Sequence, residues 1–176
     1  MEDMYDDKDL QRLYDEEYFS TRSRPPMWIR RAEFIIEKFN PKTVLDIGCA
    51  YGELVKGLDD RGIEAYGVDG SEYAINNSNS SIKSKLYKVK GDLMLEKGLF
   101  LESIDTYIEA NKAYSDSKTF SGLLFYKISK AYFLDFNENR SLESLNAANS
   151  YIKKSLNCKI GNGNILEAVK ILASRI

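Results

Sequence analysis

Histidine is absent from all 176 residues. Without it, Ser/His and Cys/His nucleophilic chemistry is excluded. The only two cysteines, Cys49 and Cys158, are far apart, so no zinc-ligand spacing exists and no metal is expected. They build no disulfide framework either, which points to reduced thiols and a cytoplasmic location. No apolar run nears membrane-spanning length and no signal-type apolar core is seen, so no membrane partner is expected. Basic excess is missing as well: the net charge is −2, and residues 2–17 are acidic. Both facts argue against a nucleic-acid partner.

The remaining composition is that of a soluble chain, 43% hydrophobic and 30% charged, long enough for one ordinary domain or two very small ones. Residues 1–24 are polar, with aromatics at Tyr5, Tyr14, Tyr18 and Phe19. Two of the three prolines, Pro25 and Pro26, mark a helix entry. After them, "MWIRRAEFIIEKF" carries apolar residues at 28, 29, 32, 35, 36 and 39, the helical period with one buried face. Asn40-Pro41 ends it.

"TVLDIGC" then reads as a short buried strand and "ELVKGLDDRG" as a helix closed by Gly62. "IEAYGVDG" reads as a second strand, with Ser71 as N-cap of the helix after it. Two strand–helix units in succession predict a parallel sheet. The stretch 86–90 reads as a third strand with a turn at Gly91-Asp92; the alternative is a helix from about Ser84 with Gly91 at a helix crossing. From Leu93 onward the strand–turn–helix alternation stops and helical periodicity takes over. The predicted organisation is therefore α/β over 1–92, a partial Rossmann-like parallel sheet of about three strands, followed by an all-α region over 93–176.

Between the first strand and its helix lies Asp46-x-Gly48-x-Ala50-x-Gly52. Small residues let the backbone pass close to a ligand, and glycine tolerates positive φ. The helix that follows offers free N–H groups to a polar ligand. Asp69, 23 residues after Asp46, ends the second strand, where a carboxylate can accept both hydroxyls of a ribose.

"YDEEYF…VLDIGCAYGEL…AYGVDGSEYAI…VKGDL" resembles the class I S-adenosylmethionine-dependent methyltransferases over residues 14–93. The resemblance implies S-adenosylmethionine as cofactor, wrapped by Asp46, Gly48, Ala50 and Gly52. It implies ribose binding by Asp69, with Gly70 beside it, and an adenine contact from Asp92 after the third strand. Tyr18 and Phe19 would line the pocket. Ala50 stands where the family's middle glycine falls. NAD-type Rossmann enzymes use G-x-G-x-x-G, a spacing not met here. The resemblance implies a methyl acceptor as partner, but the family's strands four to seven, which carry its site, are not recognisable. No residue can be named as catalytic base, so an enzyme is implied less firmly than cofactor binding.

"GDLMLEKGLFLESIDTYIEANKAY" also resembles a tetratricopeptide repeat, and a looser unit extends the likeness to residue 156. Gly91, Gly98, Ser103, Tyr107 and Ala110 take its small and aromatic positions. An insertion around "DFNENR" is expected between the helices of the second unit, and the last helix, 164–176, would cap the stack. The alternative function is thus a helical-repeat protein–protein interaction module whose α/β part is non-catalytic. Two repeats and three strands are each few for independent stability. Dependence on the other half, or a homo-oligomer, is therefore expected.

Overall fold

The proline pair lies outside the described residues, but the periodic run behind it is a helix over its whole length. The structure, a computed structural model, describes residues 7–21, 27–114, 117–158, 160 and 163–176, with the side chains of 7 and 10 excepted. In chain order the elements are α1 (Asp7–Leu13), α2 (Glu16–Ser20), α3 (Met27–Phe39), β1 (Thr43–Ile47), α4 (Glu53–Asp59), β2 (Glu64–Val68), α5 (Glu72–Asn76), α6 (Ser80–Glu96), α7 (Phe100–Ala113), α8 (Lys118–Asn139), α9 (Leu142–Leu156) and α10 (Gly163–Ala173). No helix among the described residues is long and apolar enough to cross a membrane. The chain divides into two compact units, Met1–Leu86 and Tyr87–Ile176.

In the first unit β1 and β2 pair in parallel, Val44 opposite Ala65 and Asp46 opposite Gly67. Side chains alternate faces along a strand, so these four residues share one face. α4 packs on both strands and on α3, with Val55 and Leu58 buried. The first turns of α6 also belong to this unit: Ile82 closes on Gly52 and Leu86 on Gly67. The opposite sheet face carries Leu45 and Ile47, 55% and 79% exposed.

Among the described residues the second unit is helical throughout, as the periodicity predicts. Leu95, Ile104, Tyr107, Ala110, Leu124, Ile128 and Ala131 form its main core, and Ile152, Val169 and Leu172 a smaller one. Small residues sit where helices meet closely. The Ser129 hydroxyl donates to the Ala148 carbonyl at 2.7 Å and that of Ser155 to the Gly122 carbonyl at 2.8 Å.

Two sequence expectations are corrected. Among the described residues the sheet has two strands, not three, because residues 86–90 lie inside the 17-residue helix α6. Asn79 starts that helix by accepting the Ile82 N–H at 3.0 Å, an N-cap that the strand reading passes over. The helical pattern is hidden because α6 buries more than one stripe. Ile82 and Leu86 serve the first unit; Gly91 and Leu95, on another stripe of the helix, serve the second. A helix apolar on two sides shows no single-face period. The second correction concerns "DFNENR". It is no insertion but the last turn of α8, which stops at Arg140 with φ of 57°.

Candidate functional site

The turn from β1 to α4 holds three residues in the left-handed region: Gly48 at φ 76°, Ala50 at 50° and Gly52 at 74°. Two of them are the glycines singled out by spacing, but the structure separates their roles. A Cβ at Gly52 would lie 2.2 Å from Cγ2 of Ile82, so this glycine makes room for α6. A Cβ at Gly48 would meet nothing within 4 Å. Gly48 is therefore the position where bare backbone borders open space. Its N–H donates to the Val68 carbonyl at 2.8 Å, which ties the turn to the end of β2.

Ala50 has no glycine's freedom, and the left-handed conformation is strained for it by about 1 kcal/mol or more. Its N–H donates to Asp69 Oδ2 at 2.7 Å, and the other oxygen of Asp69 accepts the Ser71 N–H at 2.8 Å. Asp69 thus clasps the two strand-end turns together. Each oxygen keeps acceptor capacity for a further donor. Asp46 on β1 is half-buried nearby. Burial, and next the Asp69 charge, raise its carboxyl above the ordinary range, with Arg31 acting in the opposite sense. The same surroundings push the buried Cys49 thiol up to about 12, burial first, then Asp69 and Asp46. A thiol so raised is protonated at neutral pH and no nucleophile.

Aromatic rings complete the cluster. Asp15 caps α2 by accepting the Tyr18 N–H at 3.1 Å. Phe19 on that helix lies with its ring centroid 5.0 Å from Tyr51 and 6.0 Å from Tyr73, stacked on the latter. Tyr18 meets Phe19 edge-on at 5.0 Å and Tyr14 at 4.8 Å. The first unit therefore brings together Tyr18, Phe19, Asp46, Gly48, Ala50, Gly52, Asp69 and Gly70.

Asp92, implied as the adenine contact after a third strand, is not on a strand. With that strand absent, Asp92 sits within α6 in the second unit. Its carboxylate accepts from Lys127 at 2.9 Å, Lys88 at 2.8 Å and the Tyr107 hydroxyl at 2.7 Å. Burial opposes ionisation there, but these three partners together hold the carboxyl below its ordinary value. This is a structural anchor of the helical unit.

Tyr51, Tyr73, Arg31 and Gln11 are neighbours that sequence reasoning missed. Tyr51 had a signal, since it stands inside the small-residue turn itself. Gln11 had none: it is a polar residue in a polar segment.

A family model described as a methyltransferase domain fits residues 18–128, from α2 through both strands and into α8. No curated protein and no solved structure matches the chain.

Proposed function

The chain belongs to the methyltransferase-domain family, and from that premise we propose that its first unit binds S-adenosylmethionine and transfers the methyl group, or descends from a protein that did. The observation that carries this is Asp69. Its carboxylate is fixed by two backbone amides beside a left-handed turn whose Gly48 borders open space. A Cβ at position 48 would fill that space, so the residues present fit a ligand that approaches the backbone closely.

In this reading Gly48 and its neighbours in the turn take the methionine portion. Asp69 accepts ribose hydroxyls with the lone pairs left over from Ala50 and Ser71. Phe19, Tyr51 and Tyr73 give an apolar and π-rich wall suited to a cationic, partly aromatic ligand. The bound cofactor supplies an electrophilic methyl group on a sulfonium. The protein's task is then to hold and orient donor and acceptor. Asp46 adds negative charge at the strand ends, at the expense of repulsion with Asp69.

Thermal shift tests the site residue by residue. A ligand that binds only the folded state raises Tm by mass action. S-adenosylhomocysteine should raise the Tm of the wild type and leave Gly48→Ala and Asp69→Ala unmoved. Equal shifts in all three proteins would remove the site from this turn.

A second reading takes the helical unit as a repeat-type surface for a protein partner. Its support is the close passage at Gly91, where a Cβ would lie 2.7 Å from the Tyr107 ring, in the small-against-aromatic manner of such repeats. If the first unit binds no S-adenosylhomocysteine while the second, residues 87–176, captures a helical peptide, this reading displaces the first.

A further inference from the structure

Glu72 is the first residue of α5, and its N–H is one of those that a helix cannot satisfy internally. Ser71, the N-cap, uses its hydroxyl for the Ala74 N–H at 3.1 Å and so leaves Glu72 unserved. The missing acceptor comes from far away in sequence. Gln11 Oε1 accepts the Glu72 N–H at 2.8 Å, and Gln11 Nε2 donates to the Gly70 carbonyl, also at 2.8 Å. One carboxamide thus spans the peptide groups on both sides of Ser71. Among side chains in their usual neutral-pH forms only a carboxamide presents a donor and an acceptor side by side in this way, and the two bonds fix which end is which.

A second tie runs beside the first. The Ser71 hydroxyl, 1% exposed, donates to the Tyr14 carbonyl at 2.6 Å. Phe19 adds its ring contacts with Tyr51 and Tyr73. The segment α1–α2 is therefore fastened at three points to the turns that carry Gly48 and Asp69. Ser71 is the link that matters chemically, because its own N–H holds Asp69 Oδ1.

We propose that Gln11 is a positioning residue: it latches α1–α2 onto the Asp69 turn and, through the backbone at 70–72, sets the aim of the Asp69 carboxylate. That the aim serves S-adenosylmethionine rests on the function proposed above; the latch itself does not. Gln11 touches no reacting group, and its side chain is near the surface, so its replacement should leave the unit folded.

Amide hydrogen exchange and ligand affinity, measured on the full-length chain, test it together. In Gln11→Leu the Glu72 amide should exchange about tenfold faster, the scale of one lost hydrogen bond. S-adenosylhomocysteine affinity should fall roughly five- to tenfold. Gln11→Glu keeps the acceptor and loses the donor, so Glu72 should stay protected while affinity still drops. An unchanged Glu72 amide in Gln11→Leu overturns the latch. Faster exchange with unchanged affinity overturns the positioning role. A wild type that binds no S-adenosylhomocysteine overturns the proposed function instead, and the exchange result still decides the latch.

Discussion

Ala50 and Asp46 are two residues whose conformation or charge opposes stability. Ala50 at φ 50° is relieved by glycine, so Ala50→Gly should stabilise the chain by about 0.5–1 kcal/mol, read as a rise in denaturant midpoint. Asp46 has a raised folded-state value, so its stabilising share is fully present below the unfolded value of about 4 and lost as pH rises through the folded one. Asp46→Asn should therefore raise Tm at neutral pH, with the gain disappearing below about pH 4. A loss of stability at pH 7 would contradict this. Asp92 has the opposite sign. Its lowered value means that its contribution is present above about pH 4 and lost as pH falls through the folded value. Lys127→Met should destabilise the helical unit by about 1–3 kcal/mol at pH 7 and by less in acid, as denaturant titrations at two pH values would show. Spacing alone picks out Gly48 and Asp69. It cannot tell that Gly52 serves packing, because this depends on Ile82, which is distant in sequence.

Elements with a single apolar face were legible from the sequence: α3, α7, α9 and α10 follow their periodicity, whereas α8 packs on both α7 and α9 and its last turn was read as an insertion. Helix α6 was not, since it contributes buried residues to two units and Gly91 interrupts its pattern. The glycines in helices make this testable. Gly57 in α4 has room: its Cβ would lie 3.4 Å from Cβ of Ala32, ordinary contact. Gly57→Ala should gain helix propensity and stabilise by about 0.5–1 kcal/mol. Gly91→Ala offers the same propensity gain, but its Cβ would lie 2.7 Å from the Tyr107 ring. Overpacking of that kind costs about 1–3 kcal/mol, so the net effect should be destabilising. Two alanine substitutions in helices thus carry opposite predicted signs, and chemical denaturation reads both.

Over the whole molecule, the family was visible in the strand–turn–helix–strand motif of the first unit, while the completeness of its sheet was not. A parallel sheet is normally covered on both faces. Here one face leaves Leu45 and Ile47 exposed, and the other is closed in part by Ile82 and Leu86 of α6. A fragment ending at residue 79 loses those two residues and should aggregate; a monodisperse, folded 1–79 fragment would contradict this account of the sheet. The central claim is that the Gly48–Asp69 turns form an S-adenosylmethionine site. Calorimetric titration of the full-length chain with S-adenosylhomocysteine tests it most directly. The predicted result is saturable heat with one site per chain, and the contradicting result is no heat up to high micromolar ligand.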